Sequence, residues 1–200
     1  MLGYVGWELY GTTWVAQREQ REIVQSTERV WDDPEPDLES REDRERAADV
    51  VALVRIPALG KDYVVPAHLG TDGDVLARGF GVFDDAAPPG GEGNLALAGH
   101  RITHGEPLRE MPDLRTGDEV VVETRDTTFT YVLDTDGDAL EVDFDAGWVV
   151  APDPVSPATG ERVSESAGST SLITLVTCAE LFHTDHRLVA FGHLVSTEPR

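Results

Sequence analysis

From residue 49 onward the apolar positions come in short runs separated by turn-forming residues. The runs are residues 50–59 (VVALVRIPAL), 62–69 (DYVVPAHL), 94–100 (NLALAGH), 118–124 (DEVVVET), 127–134 (TTFTYVLD), 139–144 (ALEVDF), 171–178 (SLITLVTC) and 187–195 (RLVAFGHLV). Each is rich in β-branched or apolar residues and is bounded by Gly, Pro or Asp. Eight such runs predict an antiparallel sandwich or a closed barrel rather than a parallel α/β sheet. Residues 71–78 and 106–114 read as helical or turn-like. Residues 150–171 are polar and rich in Pro, Gly and Ser, and a loop of that length inside a compact domain marks a lid or binding loop.

Ahead of this region the pattern changes. Residues 1–16, MLGYVGWELYGTTWVA, are apolar and aromatic but carry Glu8 and fall short of the roughly 20 residues a bilayer span needs. Trp7, Tyr10 and Trp14 resemble an interfacial aromatic belt. No charged leader precedes them and no small-residue cleavage site follows. The segment reads as the outer end of a transmembrane helix, the other reading being an amphipathic helix folded back on the domain. Residues 17–48 form a charged helical or linker segment. Arg18, Glu19, Arg21 and Glu22 suit a helix with mixed charge pairs. The run Asp32-Asp33-Pro34-Glu35-Pro36-Asp37 breaks it, and the acidic stretch to Asp49 reads as a solvated spacer. The folded domain is expected over residues 49–200.

Two hundred residues suffice for one domain with a proper core plus a tail. The net charge of −22 excludes a general nucleic-acid binder, which needs clustered Lys and Arg to neutralise phosphates. Cys178 is the only cysteine, so no intramolecular disulfide forms. A lone cysteine commonly serves as a small buried hydrophobe, and only its neighbours argue for more.

Those neighbours are chemically suggestive. One apolar run ends in Gly99-His100, another delivers Cys178 at its last position, and Arg187 opens a third. A thiolate can attack a peptide carbonyl, an imidazolium can favour that thiolate and protonate a leaving amine, and a guanidinium can stabilise the developing oxyanion. Backbone N–H groups over Thr177, Cys178 and Ala179 could share the last task. Taken singly, His100 could cap a turn and Arg187 could pair with Asp185 at the surface.

The wording of these segments resembles sortases. TLVTC, ending at Cys178, matches the TLxTC motif of the nucleophile strand, and Arg187 follows nine residues on. GEGNLALAGHRITHGEPLREM resembles the segment with the family's histidine, most like class E, the actinobacterial housekeeping group. VRIPALG resembles the opening strand. The resemblance runs from about residue 49 to 195 with the motifs in order. It implies an all-β, closed eight-stranded barrel with short helices and a single N-terminal membrane anchor, the catalytic domain lying outside the cell. It further implies cleavage of an LPxTG or LAxTG sorting signal between Thr and Gly, and transfer of the acyl group to an amine on a peptidoglycan precursor. By this match Cys178 is the nucleophile, His100 the general acid and Arg187 the oxyanion partner. Thr177, Ala179 and Phe83 would line the substrate groove, with residues 150–171 shaping the sorting-signal pocket.

This chain departs from the pattern at Phe83, where many class E members carry Tyr, and at AELFHTDHR after Cys178 in place of HPxF. His104 fits the class pattern and is assigned a turn or supporting role. No cofactor or metal is expected. Asp134, Asp136 and Asp138 with Gly137 hint at calcium, but they lack the spacing and terminal Glu of an EF-hand and suit a hairpin turn better. Expected partners are surface proteins bearing the sorting signal and an amine acceptor. A pilin-polymerising enzyme and a non-catalytic binding barrel are the alternatives.

Overall fold

The computed structural model describes residues 12–32, 41–179 and 185–200. Trp7, Tyr10, the centre of the acidic linker and most of the AELFHTDHR departure lie outside the described residues.

Nine strands form one sheet: β1 (Val50–Arg55), β2 (Val65–Leu69), β3 (Phe80–Val82), β4 (Gly93–Ala98), β5 (Glu119–Glu123), β6 (Thr127–Leu133), β7 (Leu140–Asp143), β8 (Ser171–Cys178) and β9 (His186–Pro199). Their order is β6-β5-β1-β2-β3-β4-β8-β9-β7, and β6 also pairs with β9. Eight strands therefore close into a barrel, and β7 is a flap hydrogen-bonded to the first part of β9 (Leu140↔Val189 to Asp143↔His186). All eight expected runs became strands. The ninth, β3, was not foreseen because Gly79 and Gly81 interrupt its apolar pattern. A Cβ on Gly81 would sit 2.4 Å from the Gly70 carbonyl oxygen, so glycine is what lets the two backbones approach.

The pairing is not wholly antiparallel, as the run pattern suggested. β2–β3 and β4–β8 are parallel. A parallel pair needs a crossover. Between β2 and β3 this is α3 (Gly73–Arg78), whose N-cap Asp72 accepts from Asp74 and Val75 N–H at 3.0 and 3.1 Å. Inside the barrel, Val54, Leu97, Leu108, Ile173, Leu175 and Tyr131 are all but fully buried. β8 is apolar on both faces, as its sequence showed, for a physical reason. Ile173 and Leu175 fill the barrel while Val176 packs outside on Val149, Val189 and Phe191.

The N-terminal segment departs from expectation. Helix α1 (Thr12–Asp32) runs without a break across the expected boundary at residue 16, and α2 (Arg41–Ala47) occupies part of the expected spacer. Ala16, Gln20, Ile23, Val24, Ser26 and Thr27 are buried, a stripe at helical spacing. It escaped notice because Gln, Ser and Thr supply three of its six positions. Arg55 on β1 pairs with Glu28 at 2.8 Å, and Arg200 with Asp32 at 2.9 Å. Trp14 and Val15 stay exposed. Over residues 12–32 the helix packs against the domain, while residues 1–11 lie outside the described residues.

The three aspartates of the calcium motif face different partners. Asp134 meets His193 Nδ1 at 2.8 Å, Asp136 accepts from Thr116 N–H and Oγ1–H, and Asp138 lies 3.6 Å from Arg115. Among the described residues no group of three or more His, Cys, Asp and Glu side chains is placed to hold a metal ion.

His68 on β2 is buried beside Asp49 (3.6 Å) and Arg78 (3.4 Å). Burial, with the Arg78 charge adding to it and Asp49 opposing, holds its imidazole below the ordinary 6.5. The unfolded chain therefore takes up a proton near pH 6.5 that the folded chain resists to lower pH. Stability is full above about pH 6.5 and falls as pH drops through the window beneath it. His68→Gln, which cannot titrate, flattens this slope in urea melts at pH 7.5 and 5.5. An equal slope in the variant would exclude His68 as its source.

Candidate active site

Strand direction assembles the site. Because β4 and β8 are parallel and in register (Ala98↔Val176), both leave the barrel at the same rim, one continuing into Gly99-His100 and the other into Thr177-Cys178. β9 runs antiparallel to β8 with Cys178 directly opposite Arg187. Three residues far apart in sequence are thereby brought to one end of the barrel.

Local bonds fix the rim. Gly99 N–H donates to the Val176 carbonyl at 3.1 Å, and the buried Thr177 hydroxyl donates to the Gly99 carbonyl at 2.8 Å. Leu108 N–H donates to the His100 carbonyl at 3.0 Å. The backbone before the histidine is thus tied to the backbone before the cysteine. A cavity of about 380 Å³ opens there, lined by Cys178, His100, Arg187, Thr177 and Phe83, with Val142, Phe144, Val149 and Val150 forming an apolar wall.

Arg187 Nη1 donates to the His186 carbonyl at 2.8 Å, and its guanidinium lies 4.6 Å from the centre of the Phe144 ring. That stacking holds the planar group at the mouth. Burial, then the nearby His104, holds His100 below its ordinary value of 6.5. A depressed value makes the imidazolium a readier proton donor once it has formed.

Of the expected site residues, Cys178, His100, Arg187, Thr177 and Phe83 meet in the cavity. Ala179 does not. It packs against the barrel core, and its N–H donates to the His186 carbonyl at 3.1 Å, so it serves the strand ladder rather than the groove. Thr177 reaches the cavity, yet its hydroxyl is spent on Gly99. Of residues 150–171, only Val150 lines the cavity; the wall comes mainly from residues 142–149.

Arg101 was missed by sequence reasoning. Its Nη1 donates to the Cys178 carbonyl at 3.4 Å and to the Ala179 carbonyl, pinning the end of β8. The signal was its place immediately after His100. Asn94 was also passed over. Fully buried, it donates to the carbonyls of Val149 and Ala151 at 3.2 and 3.1 Å and accepts from Thr174 Oγ1 at 2.7 Å, anchoring the apolar wall to the barrel.

A sortase-domain family model matches residues 54–195. The chain is 38% identical to the sortase SrtE1 of Streptomyces coelicolor over 156 residues, covering 74% of this chain and 41% of that protein. It thus spans less than half the length of that relative. SrtE2 of the same organism is 28% identical over 95% of this chain and 76% of its own. Among solved structures, sortase E of Streptomyces avermitilis superposes with a TM-score of 0.64 at 36% identity, covering 76% of this chain and 91% of that one. Sortase E1 of S. coelicolor, solved with a tripeptide in its active site, gives 0.62 at 31% over the same shares.

Proposed function

This chain belongs to the sortase family, and from that premise we propose that it is a class E-like cysteine transpeptidase acting on LPxTG or LAxTG sorting signals. The observation that carries the proposal is the register: Cys178 opposite Arg187, with His100 brought to the same rim by the parallel β4–β8 pair. The Cys178 thiolate attacks the carbonyl of the signal's Thr, forming a C–S bond. The oxyanion is stabilised by the Arg187 guanidinium. His100 gives its proton to the departing Gly nitrogen as the C–N bond breaks, leaving a thioester. An incoming amine then attacks the thioester, His100 takes up the amine's proton, and the thiolate is released.

The apolar wall supplies a surface for the signal's Leu and second residue, and the tripeptide in the S. coelicolor relative's active site favours a peptide occupant. We also place the domain at the outer face of the cell membrane, tethered through its N-terminal segment, with the acceptor amine on a peptidoglycan precursor. Among the described residues no helix is long and apolar enough to cross a membrane, so the tether is assigned to residues ahead of α1.

The test is incubation with LPxTG and LAxTG peptides and a nucleophilic amine, read by mass spectrometry. A Thr–amine product and an acyl adduct on Cys178 are expected. A thiol that labels while both peptides stay intact would favour the binding-barrel alternative, and preference for a lysine side chain as acceptor would favour pilin assembly. Phe83 is half-buried between the catalytic cavity and an adjoining apolar one of about 220 Å³. Phe83→Tyr adds a hydroxyl at that junction, and one hydrogen bond is worth about 0.5–1.5 kcal/mol. The LAxTG to LPxTG ratio of kcat/KM is expected to change several-fold in this variant with little change in Tm. An unchanged ratio would make Phe83 a packing residue.

A further inference from the structure

Helix α1 does more than cover the barrel. Gln20, 6% exposed, donates from its amide nitrogen to the His104 carbonyl at 3.0 Å. The same amide fills the space over Gly105, where a Cβ would lie 2.5 Å from its oxygen. Gln17 donates to the Gly105 carbonyl at 3.4 Å, and Thr13 Oγ1 to Glu106 Oε1 at 3.4 Å. Three side chains of one helix face therefore hold three consecutive residues of the loop that follows His100.

That loop needs holding. His104 and Glu106 have φ of 52° and 54°, a left-handed backbone that costs non-glycine residues and persists only where surrounding structure enforces it. The His104 ring lies 5.1 Å from the His100 ring at an interplanar angle of 30°. A shift of the His104 backbone is thus passed directly to the imidazole the reaction uses.

We propose that Gln20 is a positioning residue, through which α1 fixes His104 and, by ring contact, the orientation of His100. The catalytic consequence rests on the transpeptidase reading above; the positioning itself does not. Anchoring of the helix alone would affect stability without touching the histidine, and this is what the experiment separates.

The test uses the full chain with Gln20→Met, which keeps side-chain length and packing but loses the donor. Imidazole resonances are assigned by their loss in His100→Ala and His104→Ala. Gln20→Met is expected to move both sets of resonances, to lower kcat about tenfold, and to leave KM within about twofold, since small misplacements of catalytic groups act on the chemical step. In a His104→Ala background the substitution should have no further effect on kcat. Gln20→Glu, which keeps the shape and likewise removes the donor, serves if the methionine variant does not fold. Unmoved His100 resonances in a folded variant would overturn the proposal, as would moved resonances with unchanged kcat. A parent chain that turns over neither peptide would remove the transpeptidase reading, while the resonances would still decide whether α1 holds the ring.

Discussion

Cys178→Ala and His100→Ala each lower kcat/KM on a sorting-signal peptide by about a thousandfold or more, as removal of a bond-making or proton-transferring member of a coupled set does in other acyl-transfer enzymes. Cys178 ends β8 half-exposed at the cavity, so losing its sulfur removes the nucleophile without opening the core. Both variants should therefore keep their Tm within a few degrees. Arg187→Lys belongs with them. An ammonium keeps the charge but neither the planar fork that donates to the His186 carbonyl and, on the proposed mechanism, to the oxyanion, nor the flat face that lies on Phe144. Chromatographic rate assays over a range of peptide concentrations check all three. Near-normal turnover by Cys178→Ala would sink the proposed mechanism.

The second large effect falls on stability. Asn94→Ala deletes the group that donates to Val149 and Ala151 and accepts from Thr174, all at or beneath the cavity wall. Each buried partner left unsatisfied costs about 1–3 kcal/mol, so the summed loss should reach about 3 kcal/mol or more. Asn94→Asp, which keeps the acceptor for Thr174 and loses the donors, should be at least as damaging, because it places a carboxylate against two carbonyl oxygens. Urea melts give the loss directly. A change below about 0.5 kcal/mol in Asn94→Ala would mean that water replaces the side chain at both carbonyls. Peptide KM should rise as well, since the wall is what these bonds hold.

Much of this was legible in the sequence, and the exceptions share a cause. Strands such as β8 and β5 declared themselves because apolar composition is what a barrel wall requires. The Cys178–His100–Arg187 set was singled out by the resemblance to sortases, and the strand register brings its three members to one rim. What remained hidden was carried by polar residues in structural roles: Gln20 and Thr27 in the buried stripe of α1, Asn94 under the cavity wall, and Arg101 at the end of β8. Polar residues report their partners only when the partners are known, and those partners lie far off in the chain. Ala179 is not among the residues that line the cavity, and strand pairing turns its N–H to His186.

The parallel seam between β4 and β8 has a consequence for how the protein matures. Contacts across it, such as Thr177 to Gly99, join residues 78 positions apart, and barrel closure through β6–β9 is also long-range. Topologies of this kind fold in roughly milliseconds to seconds, because chain entropy is lost before distant contacts reward it. Cys178 and Arg187 lie only nine residues apart on consecutive strands, but His100 joins their rim only once the β4–β8 seam has formed. Until that seam closes, Cys178 and His100 belong to separate parts of the chain. On the proposed mechanism, competence for acyl transfer is thereby coupled to completion of the barrel.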